Sequence, residues 1–238
     1  MSGNTKDTIL TFKRFEKKYI LSPKQYEDFM AVAGEHLIPD AYFESLVMSI
    51  YYDSESFELI RHSIEAPVYK EKLRIRSFGI PGEDGTVFVE LKKKYKGIVY
   101  KRRVETTARK AEAWLAGGEP PEDSQITREI SWFLKMNDVS PKAFIACDRL
   151  SWLDKDLPDL RITFDRNIRW RDESLSLTAG DAGEALLGGG DVLMEIKIPG
   201  AAPLWLAKLL SSESLFPTSY SKYGTCYKNE IIRREETC

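Results

Sequence analysis

Four basic residues, Lys70, Lys72, Arg74 and Arg76, fall on alternate positions of the stretch YKEKLRIRSFG at 69–79, with Leu73 and Ile75 between them. On an extended strand, next-but-one side chains share a face at about 7 Å spacing. One side of this strand therefore carries a row of cations. Guanidinium forks grip phosphate or carboxylate oxygens two at a time, while lysine ammonium groups act as compact point charges. A row that mixes the two suits a polyanion. The pattern recurs along the chain. In RFEKKY, Arg14, Glu16 and Lys18 share a face. In VFVELKKK, Glu90, Lys92 and Lys94 lie opposite Val87, Val89 and Leu91. VYKRRVE offers Lys101 and Arg103, although Arg102 could equally face that way. CDRLSW gives Arg149, LRITFD gives Arg161 and Asp165 opposite Ile162 and Phe164, and LMEIKI gives Glu195 and Lys197 opposite Met194 and Ile196.

Strands must carry these rows. Alternation and β-branched or aromatic content mark 11–21, 46–53, 69–78, 86–94, 98–105, 143–151, 160–169 and 191–198. Gly82, Gly85 and Gly97 punctuate three of them into a meander. Helical patterns lie between: 23–34 after a Ser22 cap, 107–116 after Thr106, 125–136, 203–212, and a polar one over 219–234 that begins SYSKYG. Trp114, Trp132 and Phe133 sit at helical spacings and are expected in the core. The count favours an α+β fold around a large antiparallel sheet or barrel. Charged rows are commonly the solvated outer face of such a sheet. Here that face is biased toward Lys and Arg, and several amphipathic helices are available to cover the apolar side. Rolled into a barrel, the charged face points inward, and an interior that basic repels itself unless a polyanion fills it. The few carboxylates then suit a divalent cation held by oxygen ligands.

The 238 residues, 42% hydrophobic and 30% charged, have ordinary globular composition and are expected to form one domain over 1–238, with 1–10 disordered. Net charge is only −2, so any basic cluster is local and balanced elsewhere. That argues against a nucleic-acid partner. So does the placing of Phe15, Tyr19, Phe164 and Trp170 mostly opposite the charges, where they cannot serve as base-stacking platforms. Cys147, Cys226 and Cys238 have no disulfide or metal spacing, and two histidines, His36 and His62, are too few for a histidine-rich metal site. No membrane segment and no signal core are read, since no apolar run approaches the ~18 residues a span needs. A cytoplasmic setting is the expectation.

Eight motifs in order, RFEKKYIL, KLRIRSFG, VFVELKKK, YKRRVE, CDRLSW, LRITFDRNIRW, LMEIKIPG and SYSKYG, give the chain its likeness to a known family. Over roughly 11–232 it resembles the triphosphate tunnel metalloenzymes, and among them the catalytic domain of the vacuolar transporter chaperone (VTC) polyphosphate polymerases. The resemblance implies an eight-stranded antiparallel β-barrel tunnel with helices packed outside, binding ATP and inorganic polyphosphate with Mn²⁺ or Mg²⁺. It implies phosphate-binding roles for Arg14, Lys18, Lys72, Arg74, Arg76, Lys92, Lys101, Arg103, Arg149, Arg161, Lys197 and Lys222. Glu195 would be the principal metal carboxylate, with Glu16 and Glu90 as supporting acids. The core catalytic set would be Arg74, Arg76, Lys92 and Glu195. Tunnel hydrolases usually begin E-x-E-x-K, whereas this frame reads Arg14-Phe-Glu16-Lys-Lys18. Losing the first Glu removes a metal ligand and adds a cation, which shifts the balance from hydrolysis toward holding a long chain. The fungal proteins also carry a sensor domain and membrane helices, and the chain resembles the stand-alone bacterial form. The expected activity is transfer of the ATP γ-phosphoryl to a growing polyphosphate. The alternatives are a tunnel triphosphatase or a non-catalytic polyphosphate- or nucleotide-binding module.

Overall fold

The computed structural model describes residues 15–96 and 98–232. Arg14, the expected disorder of 1–10, the expected strand start at 11–14, Gly97, the expected helix end at 233–234 and Cys238 lie outside those residues.

Eight long strands and one short one form a single antiparallel sheet. They are β1 (Phe15–Leu21), β2 (Leu37–Asp53), β3 (Tyr69–Phe78), β4 (Thr86–Tyr95), β5 (Ile98–Thr107), β6 (Ser140–Asp154), β7 (Arg161–Arg171), β8 (Glu184–Ala185) and β9 (Val192–Ile198). The ladder runs β1-β9-β7-β6-β2-β3-β4-β5, with β8 beside β7. β3, β4 and β5 form the expected meander, in which Lys72 faces Lys92, and Lys92 faces Lys101 across the next ladder. No ladder joins β5 to β1 among the described residues. The sheet nonetheless curls so far that both end strands line one cavity. β2 and β6 extend beyond their expected limits, with a register shift between Pro39 and Glu44.

Four helices cover the apolar face. α3 (Ala108–Leu115) and α4 (Gln125–Met136) bury Trp114, Ile130 and Phe133 against Ile50, Ile75, Val89 and Leu91. α1 (Pro23–Ala33) and α5 (Leu204–Ser212) bury Phe29 and Leu206 against Ile162, Met194 and Ile196. Ser22 caps α1 in a reciprocal pair with Gln25, and Ser124 caps α4 in the same way with Thr127. Trp132 departs from expectation: it is 66% exposed. The buried stripe of α4 runs through Ile126, Ile130 and Phe133, and position 132 lies about 100° away from 133 around the axis.

The last two helices do not pack outside. α2 (Glu58–Ile64) and α6 (Lys222–Cys226, continued as a wider turn over Tyr227–Ile231) sit on the charged side of the sheet. They pack with Val47, Tyr51, Ala143, Ile145 and Cys147. Trp170 joins this cluster and does not stay with Ile162 and Phe164. Asn167, at φ 48°, and the shift of register opposite Ala146–Asp148 reverse the alternation of β7 there. No helix among the described residues is long and apolar enough to cross a membrane.

Candidate functional site: a basic tunnel with buried acidic anchors

The charged rows converge. One cavity of about 630 Å³ is lined by ten basic side chains, namely Lys18, Lys72, Arg74, Arg76, Lys92, Lys101, Arg149, Arg161, Lys197 and Lys222, against three acids, Glu16, Asp159 and Glu195. All eight long strands and α6 contribute. A second hollow of about 380 Å³ shares Glu16, Lys18, Lys72, Lys92 and Ser221 and adds Lys17, Lys70 and Lys94. The arginines therefore all line the larger cavity, and the basic residues of the smaller hollow are lysines only. Of the expected phosphate ligands, Arg103 lies off the wall. Its guanidinium stacks 3.5 Å over the Phe88 ring and stands 3.7 Å from Glu90. Arg102 points the other way, onto Glu129 of α4 at 2.8 Å, so Lys101 is the β5 cation that enters the tunnel.

The tunnel cations do not stand free; two buried carboxylates organise them. Glu90, 1% exposed, receives Arg74 Nε at 2.8 Å and Nη2 at 2.7 Å, Lys101 Nζ at 2.5 Å, and Arg103 and Arg76 at 3.7 and 3.9 Å. Burial pushes its acidity down, but Arg74, Arg76 and Lys101 win and hold its pKa at about 2. Asp165, equally buried, takes both arms of Arg149 at 2.6 and 2.8 Å and also the Lys222 ammonium. Burial again opposes ionisation, and Lys222 and Arg149 overcome it and hold the carboxyl well below the usual range. Arg76 has a weaker share of Glu90. Burial and the Arg74 charge lower its pKa to about 10.

The short helix α6 places Lys222 by three contacts written in SYSKYG. Ser221 Oγ caps it by accepting from Gly224 N–H at 3.3 Å and accepts from Lys72 Nζ at 3.1 Å. The Tyr223 hydroxyl donates to Asp53 at 3.0 Å. A Cβ at Gly224 would stand 3.2 Å from the Ser221 side chain. The same Asp53 caps α2, accepting from the N–H groups of Leu59 and Ile60 at 2.9 and 3.0 Å.

Glu195 and Glu16 approach Lys18 at 3.8 Å each, and Glu195 also meets Lys197 at 2.9 Å. Burial disfavours the Glu195 charge, yet Lys197 and Lys18 keep its carboxyl below the ordinary range. Among the described residues no three His, Cys, Asp or Glu side chains form a metal cage. Two neighbouring carboxylates fit a hard divalent cation that arrives on phosphate oxygens and keeps some of its waters. Glu90 does not fit that role, because its oxygens are taken by arginine and lysine. Tyr51, Ser49, Ser221 and Asp165 belong to the site or its support and were not picked out from sequence as site residues. A hydroxyl between hydrophobic neighbours carries no charge pattern to find it by.

A search among curated proteins finds no match to this sequence. The fold has solved counterparts at low identity. A candidate adenylate cyclase from Bacillus halodurans superposes with a TM-score of 0.54 at 13% identity, covering 92% of this chain and 95% of that one. A candidate adenylyl cyclase from Hippeastrum, described as having a dominant triphosphatase activity, gives 0.50 at 13% identity over 92% and 95%. These likenesses show the tunnel fold. The VTC domain matches residues 13–230, nearly the whole sequence, and the chain belongs to the VTC domain family.

Proposed function

We propose that the tunnel holds a linear phosphate polyanion and transfers the γ-phosphoryl of ATP to the end of an inorganic polyphosphate chain. One observation carries this reading: ten basic side chains from seven of the eight long strands and α6 face one cavity in a protein whose net charge is −2. Such a concentration of like charge is costly without an anionic occupant. The lysine-lined hollow that continues the cavity past Lys72 and Lys92 favours a ligand longer than a triphosphate.

The chemistry asks little of a base. The acceptor is a terminal phosphate oxygen, already anionic, so the new P–O bond forms as the bond to the β-phosphate breaks. ADP leaves, and no proton need be removed from the nucleophile. Arg74, fixed by Glu90, and Arg149, fixed by Asp165, present guanidinium groups to the phosphoryl oxygens in a preset geometry. Lys92, Lys101 and Lys222 add point charges. Groups oriented beforehand stabilise the charge-dispersed transition state without reorganising during the step. Glu195 and Glu16 would hold Mg²⁺ or Mn²⁺, which supplies further neutralisation of phosphate charge when bound.

The Hippeastrum likeness favours a second reading, a tunnel triphosphatase. Incubation with ATP and Mn²⁺ or Mg²⁺, followed by gel-resolved polyphosphate and released phosphate, separates the two. Long chains support the polymerase. Free phosphate alone replaces it with the triphosphatase, and no turnover with retained polyphosphate binding leaves a binding module.

A further inference from the structure

Tyr51 is a phenol set into a wall of cations. Its ring stacks on Tyr223 at 4.7 Å and 13°, which fixes where the hydroxyl points, and the residue lines the cavity. The hydroxyl oxygen accepts from Arg74 Nη1 at 3.2 Å. With that lone pair engaged, the O–H hydrogen is left to donate, and the cavity is where an acceptor can stand. From β3 the hydroxyl is faced by Lys72, Arg74 and Arg76, and from α6 by Lys222; β6 and α2 contribute Ala143, Ile145, Cys147 and Ile60 around the ring. The acids behind this group are already engaged: Glu90 with Arg74, Asp165 with Lys222, and Asp53 with Tyr223.

Resting on the polyphosphate reading of the site, we propose that Tyr51 is a phosphate-contacting residue of the tunnel, its hydroxyl donating to the bound chain and, when ionised, turning into an anion that opposes it. Arginine and lysine attract any anion, but Tyr51 adds a neutral donor that stays compatible with phosphate only while protonated. Burial resists its ionisation, yet Arg74, Arg76, Lys72 and Lys222 outweigh burial and lower its pKa to about 8. Lys72, desolvated and crowded by Lys70, Lys92 and Lys18 although supported by Tyr51, also titrates at about 8. As pH rises past that point the pair loses one positive charge whichever proton leaves. A bound polyphosphate favours both protonated forms, so binding becomes linked to proton uptake on the alkaline side.

The test is tripolyphosphate binding by calorimetry, without metal, for wild type and Tyr51→Phe at pH 7 and at about pH 9.5, below the ordinary tyrosine value near 10. The variant is expected to bind about tenfold more weakly at pH 7, the loss of one hydrogen bond to a charged acceptor. At the higher pH that gap is expected to close, because the wild-type residue is then a phenolate. An equal gap at both pH values, or no gap at pH 7, overturns the proposal. Ultraviolet phenolate titration of the wild type supplies a second measurement that needs no variant. One tyrosine should ionise near pH 8 in the free protein and shift upward with saturating tripolyphosphate. A step that does not move overturns the contact. Wild type that fails to bind tripolyphosphate at pH 7 sinks the polyphosphate reading itself, whereas binding with an unmoved phenolate step sinks only Tyr51.

Discussion

Replacing Glu90 by Gln tests whether the tunnel cations depend on an internal counter-charge. The amide keeps the shape and removes the anion at the centre of Arg74, Arg76, Lys101 and Arg103. The carboxyl pKa falls from an ordinary 4.5 to about 2 on folding. Each unit is worth about 1.4 kcal/mol, so its ionised form favours the folded protein by roughly 3 kcal/mol. A depressed carboxylate contributes fully above its unfolded value and loses its contribution as pH falls through the folded one. The wild-type gain is thus present above pH 4.5 and disappears between there and pH 2. At neutral pH, Glu90→Gln should lower the melting temperature by about 6–12 °C, given about 2–4 °C per kcal/mol for a protein of this size. Tripolyphosphate supplies the missing negative charge from the other side. In scanning calorimetry at low salt it should therefore raise the melting temperature of the variant more than that of wild type, narrowing the gap. A variant as stable as wild type, or equal ligand shifts in both, would refute the counter-charge role.

Three further substitutions probe the rest of the wall. Glu195→Gln should reduce metal-dependent turnover about 100-fold, a few kcal/mol of lost charge stabilisation, while metal-free nucleotide affinity changes by less than tenfold; full activity in Mn²⁺ would remove Glu195 from the metal role. Asp165→Asn leaves Arg149 and Lys222 buried without their partner and should cost about 3–5 kcal/mol in urea unfolding. A midpoint within error of wild type would show that the two cations are held by other contacts. Arg102→Ala removes only the outward pair with Glu129 and should cost less than ~1 kcal/mol with turnover unchanged; a large loss of turnover would mean that β5 presents its other face to the tunnel.

Strand alternation alone determined which side of β3, β4 and β9 is basic, because the two-residue period is a property of the extended backbone. Arg74, Arg76 and Lys92 could be assigned to one face, and Leu73 and Val89 to the other, before any partner strand was known. The cap at Ser22 was legible for the same reason, since the groups that satisfy each other lie within three residues, whereas the last helix, expected from 219, starts only at Lys222 behind the Ser221 cap. Choices that depend on contacts distant in sequence were not. Whether Arg102 or its neighbours face inward depends on β5 pairing with β4 and on α4 standing outside. α2 begins at Glu58, after Phe57 at φ 57° with no side-chain cap of its own; its first N–H groups are held by Ser54 and by the Asp53 carboxylate, whose place is set in turn by Tyr223, 170 residues away. For Glu90 the sequence resemblance implies a supporting acid beside the metal. Its role turned on four cations from β3 and β5 meeting its buried carboxylate. Charge pattern is a local property of the chain, but the strength and purpose of a charge depend on what surrounds it after burial, and that is fixed only when the sheet curls and brings its end strands to the same cavity.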